Sequence, residues 1–254
     1  MRKLLVGAAL LAAPVLAQNK IPRTADGHPD FSGVWQGGGV SLYGGVGGNT
    51  RATAAVPKGT PPPAPRAKPE PLVYLDAAEA KVKAGAATAV LDDPTLKCLL
   101  PGVPRIYGMP MPFEIVQTPK ELVIIFESFH AWRRIPFNAR HDDPDPSFMG
   151  DSIASWDGDT LVVDVAGLNG KTWLDGRGHF TTEKTHIVER YVLNGDTISY
   201  SATVDDPTIL AKPWTQRYTL IRLKEGERPL EYECLENNQD IPHMQTRSVT
   251  PASR

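Results

Sequence analysis

The chain has 254 residues, 27 Lys and Arg against 29 Asp and Glu, and a formal net charge of −2 that becomes −4 if Arg2 and Lys3 are removed with a leader. Such a balance argues against nucleic acid or an anionic membrane as the main partner. The length supports one large domain with a real core.

Arg2 and Lys3 precede an almost wholly apolar run, Leu4 to Leu16, and Val15-Leu16-Ala17 ends on a small residue suited to cleavage before Gln18. This is the pattern of a secretory signal peptide over residues 1–17. It is too short to span a bilayer, which needs about 20 apolar residues. No other stretch of that length is apolar and uncharged, so no membrane span is expected. The mature chain is expected in the periplasm or outside the cell.

Residues 18–111 read as an irregular N-terminal region. Phe31 to Gln36 has strand character, a glycine-rich run follows from Gly37 to Gly48, and Pro57 to Pro71 should be extended. One short helix follows, where Asp76 can cap and Glu79 completes a capping box ahead of an alanine-rich segment.

Residues 112–254 change character. Phe113–Thr118, Leu122–Ser128, Trp132–Phe137, Asp151–Trp156, Thr160–Ala166, His186–Leu193, Thr197–Val204, Thr215–Leu223 and Leu230–Leu235 all read as strands. Asp157-Gly158-Asp159 and Asn194-Gly195-Asp196 are tight-hairpin signals. About nine strands with short turns and no crossover helix give a mostly β protein. The expected architecture is an antiparallel meander that closes into a barrel or forms a sandwich. In the strand beginning at His186, residues 186, 188, 190 and 192 share one face, and 187, 189 and 191 the other. Neither face is wholly apolar, which fits a polar lumen or an edge strand.

Cys98 and Cys234 are the two cysteines. An exported chain with an even count predicts a disulfide, closing a long loop for a stabilisation on the order of 4 kcal/mol. It would join the segment before the strands to the last one.

Imidazole and carboxylate groups move protons near neutral pH, and four of the six histidines (His130, His141, His179, His186) lie in one aspartate-rich stretch. Asp157 and Asp159 are accounted for by a hairpin turn, Asp142 to Asp145 by loop caps, and His130 by a structural role. Loop residue His179 and strand-start residue His186 can converge at a barrel mouth, with Asp175 or Asp151 as orienting carboxylate. These four are the catalytic candidates. Trp173, His141, Arg190 and Glu189 are the candidate ligand contacts. No metal motif is present and no cofactor is assigned; a divalent metal would have to assemble from His141, His179, His186 and Glu189. Gly150-Asp151-Ser152-Ile153 and Asp240-Ile241-Pro242-His243 resemble GDSL-type esterase blocks. Here, however, the serine opens a hairpin, where those enzymes need a strand feeding a helix.

Gly33-x-Trp35 resembles the opening motif of lipocalin-like (calycin) barrels, in which a tryptophan plugs one end. Gly150-Asp151-Ser152-Ile153, Trp156-Asp157-Gly158-Asp159-Thr160-Leu161-Val162-Val163-Asp164, Trp173-Leu174-Asp175 with Gly178-His179, and His186-x-x-Glu189-Arg190 are similar to motifs of a widespread family of exported bacterial proteins without an assigned activity. That resemblance covers nearly the whole mature chain and implies a shared fold and site. Phe137-Asn138-Ala139 departs from it where a glycine-containing turn is expected before His141.

Two functions follow as expectations. One is an exported small-molecule enzyme using His/Asp acid-base chemistry (a hydrolase, lyase or isomerase) in a barrel pocket. The other is a non-catalytic lipocalin-like carrier of a small ligand. A structural envelope protein is a third reading. An enzyme needs two titratable groups near one point in environments that split their pKa values, whereas a carrier needs a mostly apolar lumen.

Overall fold

The computed structural model describes residues 21–37, 71–236 and 239. The segment expected to be a signal peptide, the glycine-rich run beyond Gly37, the proline-rich run before Pro71, and His243 lie outside the described residues.

Nine strands form one antiparallel sheet: β1 (Gly33–Gly37), β2 (Pro112–Gln117), β3 (Glu121–Phe126), β4 (Trp132–Pro136), β5 (Asp151–Asp157), β6 (Thr160–Ala166), β7 (His186–Asn194), β8 (Thr197–Asp205) and β9 (Trp214–Arg222). Their order is β4-β3-β2-β1-β9-β8-β7-β6-β5, so sequence neighbours pair everywhere except β4 and β5, and β1 joins β9. The sheet is a nearly closed, lipocalin-like barrel rather than a sandwich, with a seam between β4 and β5. Two-residue turns behave as the sequence predicts. Asp157 pairs with Thr160 and Asn194 with Thr197, with Gly158 and Gly195 in between at positive φ.

The seam lacks a regular ladder but is not empty. Phe137 bridges Ala154 in parallel, the Asn138 amide donates to the Ala154 carbonyl at 3.0 Å, and Arg133 on β4 donates to Ser152 on β5 at 2.8 Å.

Two expectations are corrected. Leu230–Leu235 is not a strand; it is an irregular segment with turn geometry from Cys234. The helix α1 (Asp76–Ala87) forms, but Asp76 is its first residue rather than its cap, and Leu75 occupies the cap position with no side-chain hydrogen bond. The backbone of Tyr74 and Leu75 is instead held by pairing with residues 209–211. A four-residue turn of helix, α2 (Ala89–Asp92), follows. The predicted Cys98–Cys234 disulfide is present, with Cα atoms 5.6 Å apart.

Inward positions fill the barrel. On β7, Ile187, Glu189, Tyr191 and Leu193 point in. The polar-lumen reading therefore holds, and β7 is an inner strand. Arg133 forms a two-pronged ion pair with Glu189 at 3.1 and 2.5 Å. Tyr191 and Tyr200 donate to the same Glu189 oxygen at 3.0 and 2.7 Å. Tyr107, from the 3-10 turn Arg105–Gly108, meets the Tyr191 hydroxyl at 2.7 Å and accepts from Arg133 at 2.8 Å. Burial pushes the Tyr107, Tyr191 and Tyr200 hydroxyls far above the usual phenol range. The turn can enter because Gly37 on β1 has no side chain: a Cβ there would lie 2.0 Å from the Tyr107 carbonyl. Behind it, Arg105 is fully buried on Asp93, with contacts of 2.9 and 2.6 Å. Trp35 is fully buried, donates to the Phe31 carbonyl at 2.9 Å, and carries the Arg222 guanidinium 4.1 Å from its ring centre.

Candidate functional site

Between β6 and β7 the chain folds into a pinched loop. Trp173 bridges Phe180, the Thr172 and Thr181 hydroxyls meet at 2.8 Å, and the Leu174 amide donates to the His179 carbonyl at 2.6 Å. The pinch brings Asp175 and His179 together, Nδ1 to Oδ2, at 2.7 Å. The other Asp175 oxygen accepts the Arg177 amide at 2.8 Å. Gly178 makes this possible at φ +84°, where a Cβ would lie 2.8 Å from the Ala86 nitrogen, so α1 rests directly on the loop backbone.

Each side chain of the pair is 26% exposed. Burial pushes the Asp175 carboxyl up, but the His179 hydrogen bond and charge, with the Arg177 and His179 amides, outweigh it. The carboxyl is held below the usual carboxylate range. The Tyr74 ring stacks on His179 and on Phe180. Burial, with the charges of Asp175 and Asp206, pushes its hydroxyl far above the usual phenol range. That hydroxyl has no hydrogen-bond partner among the described residues, and neither does the buried Gln216 Oε1. Gln216 sits beside Tyr218, whose hydroxyl feels the Asp175 charge.

Asp206 anchors this end of the barrel. It is fully buried and accepts from the hydroxyls of Thr182 and Thr185 at 2.6 and 2.7 Å and from Thr208 at 2.6 Å. Burial raises its pKa, but the three threonines outweigh this and hold it below the usual carboxylate range.

The other histidines gather elsewhere. His141 places Nδ1 2.5 Å from Asp151 and Nε2 2.9 Å from Asp164, and His186 Nε2 sits 2.9 Å from the same Asp164 oxygen. This cluster lies on the outward face of β5, β6 and β7, since Val163, Val165 and Ile187 point inward.

The structure therefore unites Asp175 with His179, and Asp151 with His141, which shares Asp164 with His186, but gives His179 and His186 different carboxylates. The expected convergence of those two bases is not made: a strand alternates its faces, and position 186 falls on the outside. Trp173 lies beside the pair, with its ring packed toward Gly85 of α1. Glu189, expected as a ligand contact, is instead internal, with both oxygens bonded. Arg190 points outward and pairs with Asp157. His130 faces Glu233 on the surface. Tyr74, Asp164, Asp206 and Gln216 were not singled out by sequence reasoning. Among the described residues, no group of three or more His, Cys, Asp or Glu is arranged to hold a metal ion, and no helix is long and apolar enough to cross a membrane. No protein-family model matches this chain, and no curated protein matches it.

Proposed function

We propose that this chain is an exported small-molecule enzyme whose acid-base chemistry is done by His179, oriented by Asp175, at the end of the barrel. The observation that carries this reading is the 2.7 Å contact between Asp175 and His179 Nδ1, beside a Tyr74 hydroxyl that has no partner among the described residues. A carboxylate on Nδ1 fixes the neutral imidazole with its proton on that nitrogen, leaving the Nε2 lone pair to accept a proton. Tyr74 remains protonated at physiological pH, so its hydroxyl is a donor for an oxygen that gains negative charge. A proton acceptor and a neutral donor in unlike environments are the pairing that acid-base catalysis uses. Removal of a proton from water or from carbon fits this set, which covers hydrolysis, elimination and isomerisation.

The carrier reading is weakened by the interior. Tyr107, Tyr191, Tyr200, Arg133 and Glu189 meet across the barrel and occupy the space that a carried ligand would need. Export is supported by the N-terminal Arg2-Lys3 and apolar run, by the Cys98–Cys234 disulfide, and by the resemblance to exported bacterial proteins.

The test is a screen of the mature protein against small esters, lactones, and hydroxy and keto acids, followed by variants on any substrate found. His179→Gln and Asp175→Asn should each lower kcat by about 100-fold or more, while His186→Gln leaves it within about twofold. Full turnover by folded His179→Gln protein sinks the assignment.

A further inference from the structure

The Asp151, His141, Asp164 and His186 cluster plays no part in that chemistry, yet it sits beside the interruption in the barrel. Residues 137–150 connect β4 to β5, the two edges of the sheet. The connection is tied down near its start by the Asn138 amide on Ala154. Near its end, the Ser147 amide donates to the Gly167 carbonyl at 2.9 Å and the Ser147 carbonyl accepts from Asn169 at 2.9 Å. Between those ties, His141 is the residue among those described whose side chain bonds to the sheet.

The geometry of that bond dictates a charge state. A neutral imidazole has one N–H and an imidazolium has two. Both ring nitrogens of His141 face carboxylate oxygens, Asp151 on β5 and Asp164 on β6. Only the imidazolium can donate to both; the neutral ring must turn a lone pair toward one carboxylate. His186 from β7 is the remaining titratable group on this cluster, and it occupies Asp164. The connection's own charged residues, Arg140, Asp142, Asp143 and Asp145, make no hydrogen bond to His141 among the described residues.

We propose that His141 is a proton-operated latch: as the imidazolium it clamps the β4–β5 connection to β5 and β6, and on losing its proton it lets the connection go and loosens the seam of the barrel.

The direction of the response follows from two opposing effects. Burial lowers the His141 pKa, but the hydrogen bonds and charges of Asp151 and Asp164 outweigh it, leaving it above the ordinary histidine value of 6.5. A group whose pKa is raised on folding stabilises fully below its unfolded value and loses that contribution as pH climbs through the folded one. The latch is therefore closed at mildly acidic pH and opens above 6.5.

Hydrogen–deuterium exchange on the full mature chain from pH 5.5 to 9, corrected for the intrinsic pH dependence of exchange, tests this. Protection of residues 138–147 in the wild type should fall at least tenfold, with a midpoint above 6.5. His141→Gln should lack the step and exchange rapidly throughout. His186→Gln should keep it. Asp151→Asn, which removes the negative charge but keeps an oxygen that can accept, should move the midpoint to lower pH. A flat wild-type profile, a step that survives in His141→Gln, or a midpoint unmoved in Asp151→Asn overturns the latch. None of these readouts depends on turnover.

Discussion

The ring of Tyr74 lies against the imidazole of His179, 5.8 Å between centroids and 13° from parallel. Tyr74 is 9% exposed, and its hydroxyl has no partner among the described residues. A buried donor left without an acceptor costs about 1–3 kcal/mol.

Tyr74→Phe separates the two effects. Removing the hydroxyl should not destabilise the fold and should raise the urea-unfolding free energy by about 1–3 kcal/mol, since an unsatisfied donor is removed and no bond to a described residue is lost. If the hydroxyl donates to an oxygen that gains charge, kcat on a substrate found by screening should fall by about 100-fold. A variant with wild-type kcat removes Tyr74 from the chemistry.

The Arg133–Glu189 pair predicts an asymmetry in stability. Replacing Glu189 alone with Leu strands the guanidinium in the barrel and should cost about 3–5 kcal/mol in denaturant unfolding. Replacing both partners, Arg133→Met with Glu189→Leu, should recover most of that loss. Equal destabilisation by the single and double changes contradicts an internal, mutually dependent pair.

Asp206 predicts an acid limb. Its pKa is lowered in the folded state, so its contribution is present above the unfolded carboxylate value and disappears as pH falls through the folded one. Wild-type stability should therefore drop as pH falls below about 4. Asp206→Asn should be less stable at neutral pH and show a shallower acid limb in thermal melts recorded across that range.

Gly178 predicts a local cost with a functional echo. Gly178→Ala places a methyl group 2.8 Å from the Ala86 nitrogen at a positive φ. The change should destabilise by about 1–3 kcal/mol and should weaken turnover through the shifted 175–179 loop. Unchanged melting and unchanged turnover together argue that α1 does not rest on the loop as described.

Much of the architecture is legible in the sequence because hairpins announce themselves locally. Asp157-Gly158-Asp159 and Asn194-Gly195-Asp196 fix two strand pairs through turn chemistry alone. The closing pair β1–β9 carries no such mark, since it joins residues 35–37 to residues 220–222. The Asp175–His179 pair is visible as two residues on one glycine-bearing loop. The partition of the histidines is less so, because it depends on which face of β7 is inward, and Glu189 on that face is as polar as His186 on the other. Tyr74 gives no signal at all. It follows a proline-rich run, and its neighbours in space, His179 and Leu210, are more than a hundred residues away.

The pairing of the first strand with the last also orders events in time. Trp35 cannot acquire its Arg222 cover, nor β1 its second neighbour, until the chain has been made as far as residue 222. Contacts of that sequence separation form slowly. A chain stopped short of Trp214 would leave two bare strand margins, at Gly33–Gly37 and at Thr197–Asp205, both able to pair with other chains. The five residues of β1 therefore gain their second neighbour only when the far end of the chain has arrived.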